Sequence, residues 1–208
     1  MKILAVSDRV EDHLYHSELR QRYPDIDLLI GCGDLPYYYL EFLLEVLNAP
    51  LVYVRGNHDA GPQFTADGRT LTNVRGGINV HGRCVEVKGL LIAGLEGSMR
   101  YRPQAPHMYT EGEMLWNAIR LLPRLLWNWS RYGRSLDILV THSPPWQIHD
   151  RPDLAHTGFK VFRTLMRLFR PRYLLHGHVH LYRNDVERES WYYETAVVNV
   201  YPHRLVEL

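Results

Sequence analysis

The 208 residues carry 24 Lys and Arg against 23 Asp and Glu, a formal net charge of +1 with His neutral. Charges so balanced and interspersed lack the footprint of a nucleic-acid binder or a polybasic membrane anchor, so any phosphate selectivity must be local. Two cysteines in apolar contexts, Cys32 and Cys84, suit buried thiols in a reducing compartment better than a disulfide framework, and the expected setting is cytoplasmic.

In chain order, short apolar runs alternate with segments of helical spacing. Ile3–Val6 reads as a strand, His13–Arg22 as a helix, Leu28–Ile30 as a strand, Tyr38–Leu47 as a helix and Leu51–Val54 as a strand. Strand Leu90–Ala93, helix Glu111–Leu126, strand Ile138–Val140, helix Phe159–Phe169 and strand Tyr173–Leu175 continue the pattern, with Pro123 expected to kink or break the third helix. The last part, Trp191–Tyr193, Ala196–Val200 and Leu205–Glu207, alternates like antiparallel strands. The pattern predicts an α/β sandwich with helices on both faces of a mixed central sheet, as one domain over residues 1–208. The opening apolar run is too short for a signal peptide, and no stretch approaches a transmembrane span.

Residues with chemistry sit just past the strands. Five apolar runs lead into Asp8, Gly33-Asp34, Gly56-Asn57-His58-Asp59, Thr141-His142 and Gly177-His178-Val179-His180. In an open α/β sheet, residues beyond the carboxyl ends of the strands converge on one crevice where ligands bind. One such residue is more often a cap or a satisfied polar group, whereas five with metal-ligand chemistry point to a site.

The pieces "SDRV", "GCGDL", "RGNHD", "THSPP" and "HGHVH", in that order over residues 7–180, resemble the signature of the calcineurin-like metallophosphoesterase superfamily. The resemblance implies a four-layer α/β/β/α sandwich with a mixed central sheet. It also implies two divalent or mixed-valence transition-metal ions. Asp34 would bridge them; Asn57, His142 and His178 would complete one shell, and Asp8 and His180 would serve the other. Such mixed nitrogen and oxygen donors suit Mn, Fe, Zn or Ni better than Mg or Ca. His58 would face the scissile bond as general acid or transition-state donor, while hydroxide bridging the ions attacks phosphorus. Asp59 would either orient the His58 ring or cap the following turn.

Position 10 departs from the family pattern, in which it is His, a metal ligand; here it is Val10. Three groups could fill the gap. Tyr37 stands three residues past Asp34, as in the Gly-Asp-x-x-Tyr motif of purple acid phosphatases, a branch of the superfamily that lacks the same His. His13 or His16 could swing in from the same loop, or water could complete a weaker site. Against Tyr37 stands its place at a helix start, where an aromatic ring more often packs than coordinates.

The loop "GLEGSMRYRPQAPHMYTEGEM" offers Arg100 and Arg102 as phosphate clamps and Tyr101 or Tyr109 as stacking partners, and the loop after His142 carries His149, Asp150 and His156 toward the mouth. "EMLWNAIRLLPRLLWNWSRYGR" carries three tryptophans with interspersed Arg and is apolar over more than one helical face. It suits a core helix with one exposed flank, a lid, a surface for a second copy of the chain, or an interfacial membrane contact. Function is expected to be hydrolysis of a small phosphomonoester or phosphodiester, with nucleotides among the candidate substrates. The alternatives are a non-catalytic scaffold on the same fold, for which too many motifs are intact, and a nuclease, which the neutral charge balance disfavours.

Overall fold

Alternate residues of the first strands are buried on opposite sides. Ile3 and Ala5 join one apolar cluster with Leu28, Ile30, Val52 and Val54, while Leu4 and Val6 join another with Leu29, Leu51 and Tyr53. A strand buried on both faces needs an apolar layer above and below it. A computed structural model supplies both layers; it describes residues 1–59, 61–64, 68, 70–182 and 187–208.

The elements run β1 (Lys2–Val6), α1 (Leu19–Arg22), β2 (Leu28–Cys32), α2 (Tyr37–Leu47), β3 (Leu51–Val54), β4 (Gln63–Phe64), β5 (Thr70–Leu71) and β6 (Gly77–Asn79). Then come β7 (Cys84–Val87), β8 (Leu90–Leu95), β9 (Ser98–Met99), β10 (Met108–Tyr109), α3 (Glu111–Ile119), α4 (Leu122–Tyr132) and β11 (Ile138–Thr141). The chain closes with α5 (Lys160–Phe169), β12 (Tyr173–His176), β13 (Glu189–Tyr192), β14 (Thr195–Asn199) and β15 (His203–Glu207).

Two mixed sheets form, not the single central sheet that the alternation predicts. One has the order β15-β1-β2-β3-β6 and the other β13-β14-β12-β11-β8-β7. Within each, the inner strands are parallel; β15, β13 and β7 pair antiparallel at the edges. The core shared by Ile3, Ile30, Val52, Ile92, Val140, Leu175 and Val198 lies between the sheets. Outside the first sheet, Leu19 and α2 residues Tyr39, Leu40 and Leu43 cover Leu4, Val6 and Leu29. Outside the second, Met114, Leu125 and Phe162 from α3, α4 and α5 cover Leu95, Leu139 and Val197. The result is α/β/β/α. A continuous apolar run reports that both faces are buried, not whether a helix or a second sheet does the burying.

Two helices differ from the spacing. His13–Arg22 contracts to the single turn Leu19–Arg22, and the long Trp-rich helix divides in two, with Pro123 at the second position of α4 rather than inside a kink. Proline lacks the N–H that a first-turn residue has no use for, so it starts a helix better than it continues one. A Thr110–Glu113 capping box opens α3.

Candidate metal centre

The parallel strands β1, β2, β3, β11 and β12 all end at one edge of the sandwich, and the residues after them meet there. Asp8, Asp34, His58, His156, His178 and His180 line a cleft of about 300 Å³. Asp8, Asp34 and His178 each take positive φ, at 64°, 55° and 65°, a conformation that costs a non-glycine residue energy and turns the side chain away from the strand direction.

Asp34, His142 and His178 offer donor atoms within 4.8 Å of one another. His142 is fully buried; its Nδ1 donates to Cys32 O at 2.8 Å, which leaves Nε2 facing Asn57 Oδ1 at 3.0 Å, Asp34 Oδ2 at 3.3 Å and His178 Nδ1 at 3.1 Å. His178 Nε2 donates to Ala155 O at 2.8 Å, so its Nδ1 lone pair also points inward. Backbone carbonyls thus fix both tautomers, the usual outer-shell arrangement for ligating imidazoles.

The second half is built around Asp8. Its Oδ2 accepts from Ser7 Oγ in a short hydrogen bond and from the His178 N–H at 2.9 Å. Its Oδ1 is buried without a hydrogen-bond partner and lies 3.4 Å from His180 Nε2. His180 stacks on Tyr201 at 4.5 Å and meets Tyr182 OH through Nδ1 at 2.9 Å, which turns Nε2 toward Asp8. A buried carboxylate oxygen without a hydrogen-bond partner and the ring nitrogens of His142, His178 and His180 turned toward Asp34 or Asp8 together fit cations, since unpaired buried acceptors are otherwise costly.

The electrostatics agree. Burial pushes the Asp34 carboxyl up, but the His142 charge and hydrogen bonds from His142 and the His58 N–H outweigh it and bring the pKa down to about 2. Burial lowers His142, and the Asp34 charge reverses this and raises it, whereas burial and the His142 charge together lower His178. One positive charge among these groups is favoured over two or none. Asp59 is raised to about 6 by burial and by the Asp34 charge.

Asp59 does not meet the His58 ring. Its Oδ2 accepts the Asp34 N–H at 2.8 Å and the Gly56 N–H at 2.7 Å, tying the two ligand loops together. Gly56 is required by this closeness, because a Cβ there would come within 2.5 Å of Asp34 Cγ. His58 is exposed on the cleft, with its backbone N–H held by Asp34 Oδ1 at 2.7 Å.

Tyr37 is not brought to Asp8. It is buried in the apolar cluster beneath α2, with its phenol near the Arg55 guanidinium. Pro36 starts the helix there, and the first turn directs the ring into the layer that holds Leu35 and Leu40. Val10 packs against the same cluster. His16 sits beside Glu18, and His13 faces Glu11 and His203, these last three offering donors within 4.8 Å of one another. That trio is a poor cation site, because Arg9 Nε lies 3.1 Å from Glu11 Oε1, and Arg188 and Arg204 add further positive charge around His203.

Of the rim residues, Tyr101 OH accepts from Asn57 Nδ2 at 3.3 Å, and His156 stands 5.1 Å from the His178 ring. Arg100 is engaged by Glu113 and Met108 O instead of facing the cleft. His149 turns away to His176.

The pattern of the family described as calcineurin-like phosphoesterase matches residues 1–182. The chain belongs to this family. Family membership carries metal-dependent phosphoester hydrolysis as the general reaction. Among solved structures, TT1561 of Thermus thermophilus superposes with a TM-score of 0.60 at 18% identity, over 96% of this chain and 88% of that one. A second superposes at 0.61 with 14% identity, over 96% of this chain and 90% of its own. At these identities the likeness is one of fold. No curated protein matches the calcineurin-like chain in sequence.

Proposed function

We propose that this calcineurin-like phosphoesterase hydrolyses a small phosphomonoester or phosphodiester, a nucleotide among the candidates, at a dinuclear transition-metal centre. Asn57, His142 and His178 would hold one ion, Asp8 and His180 the other, and Asp34 would serve both. The observation that carries the reading is the buried Asp8 Oδ1, without a hydrogen-bond partner among the described residues and 3.4 Å from His180 Nε2, in the same cleft as the inward ring nitrogens of His142 and His178. With Val10 packed against the apolar cluster and unable to coordinate, the Asp8 side would have one protein ligand fewer and be the weaker of the two.

Bound ions in such a pair neutralise the phosphoryl oxygens and make water nucleophilic at neutral pH. The chain supplies the rest. Asp34, pinned through the His58 N–H and Asp59, holds the two halves of the site in fixed relation. The exposed His58 ring reaches the substrate and protonates the departing oxygen, and His156 forms the facing wall. A cleft of about 300 Å³ accommodates a phosphoryl group and a modest leaving group.

His58→Ala is expected to lower kcat by about 10²–10⁴ with metal content unchanged, as elemental analysis and an aryl phosphoester assay in Mn²⁺ will show. Loss of the metal in that variant would remove His58 from its role. Chain purified without chelator that holds no transition metal and cleaves no aryl phosphoester in added Mn²⁺ would sink the whole reading.

A further inference from the structure

α4 packs inside out. Its inward stripe is Leu121, Leu125 and Asn128, and the asparagine at 0% exposure bonds Ser135 O and Cys84 Sγ. Leu126, Trp127 and Trp129 stand outside at 59%, 48% and 63% exposure, and Leu115, Trp116 and Ile119 of the preceding helix α3 are exposed as well. Six large apolar side chains on two adjacent helices exceed the scatter of single exposed residues that any soluble surface carries.

Past the first turn of α3, where Glu111 accepts from backbone N–H groups and Glu113 pairs with Arg100, the charge of the patch has one sign. Residues 114–136 contain Arg120, Arg124, Arg131 and Arg134 and no Asp or Glu. Arg134 pairs with Asp137, whereas none of the other three has a carboxylate partner among the described residues. The Arg124 guanidinium lies over the Trp127 ring at 4.5 Å, so charge and apolar surface are presented together. Outside residues 114–136 acidic residues outnumber Lys and Arg, which makes this a local feature.

We infer that the outer face of α3 and α4 is a peripheral docking surface for a bilayer carrying anionic headgroups. Tryptophan and leucine entering the headgroup region with arginines at phosphate level is the composition of interfacial helices. A second copy of the chain would place the three arginines against their own images, which opposes a symmetric dimer through this face. A short helix anchored by a narrow stripe cannot leave the domain to span a bilayer, and among the described residues no helix is long and apolar enough to cross a membrane.

Sedimentation of the full chain with vesicles tests this. Vesicles of phosphatidylcholine with about one-third phosphatidylglycerol are expected to carry the chain down, with a blue shift of tryptophan emission, and neutral phosphatidylcholine vesicles are not. Raising salt to several hundred millimolar should weaken the binding. W127A/W129A, at exposed positions that leave the fold intact, should weaken it on the order of tenfold or more. R120Q/R124Q/R131Q should abolish the preference for the anionic vesicle. Absence of sedimentation overturns the inference. So does equal, salt-insensitive binding to both vesicles, or a concentration-dependent dimer that W127A/W129A dissolves while vesicle binding is nil.

Discussion

At the scale of single residues, Asp59 and Tyr37 exchange the importance that their sequence positions suggest. A carboxylate next to a catalytic His invites the reading that it orients the ring, yet Asp59 spends its oxygen on two backbone N–H groups, those of Asp34 and Gly56. Its truncation therefore acts on the ligands. Asp59→Ala is expected to weaken metal binding by about 10–100-fold, measured by titration of the metal-free chain, since groups that position ligands have effects of that size. Intact metal affinity with a slowed turnover would instead restore the ring-orienting role. Tyr37→Phe is expected to leave metal stoichiometry unchanged and to give no loss of a visible charge-transfer band in iron-loaded protein, because the phenol lies beside Arg55 and not beside Asp8. The candidate ligands could be picked out in the sequence because carboxylate, amide and imidazole after buried strands have few other uses at one sheet edge. The direction of Tyr37 was not, because it depends on where Pro36 starts the helix and on which layer that turn faces.

Elements show the same division. Strand positions could be read from apolar runs because burial on both faces leaves little room for polar residues, and helices α2 and α5 lie close to their predicted spans. The two-sheet arrangement could not, since β1 looks alike whether its Ile3 and Ala5 meet a helix or another sheet. α4 is the sharpest case. Composition favours burying Trp127 and Trp129 and exposing Asn128, whereas the structure does the reverse because Asn128 satisfies the Ser135 carbonyl at the helix exit. Asn128→Ala is accordingly expected to destabilise the chain by about 1–3 kcal/mol, the cost of a buried carbonyl left without a donor. Trp129→Ala should change stability by less than about 0.5 kcal/mol, as a surface substitution does. Denaturant melts of the two variants decide it, and the opposite ranking would mean that the tryptophans belong to the folded core.

Across the whole molecule, the wall behind the metal cleft is held by a polar chain that must stay uncharged. His176, the last residue of β12, is fully buried and donates from Nδ1 to Gly177 O at 3.0 Å, leaving Nε2 to accept from His149 Nδ1 at 2.9 Å. His149 Nε2 then accepts from Ser190 Oγ at 2.8 Å, so the loop after β11, the end of β12 and edge strand β13 share one run of hydrogen bonds with fixed tautomers. A proton added to His176 would turn its acceptor into a donor facing the His149 N–H, whereas a proton on His149 would require the Ser190 hydroxyl to turn and accept. Burial depresses both imidazoles below the usual 6.5. The unfolded chain takes up these protons as pH falls through about 6.5 while the folded chain refuses them, so their contribution to stability is complete above that pH and is lost below it. Each imidazole that stays neutral in the fold adds up to about 1.4 kcal/mol of lost stability per pH unit in that range. His149→Gln removes one of the two titrations and is expected to flatten the decline of unfolding free energy between about pH 6.5 and 5 by up to that slope, at some cost in stability at about pH 8. Urea melts of both chains at matched pH values measure the difference, and parallel curves would show that His149 ionises alike in the folded and unfolded states.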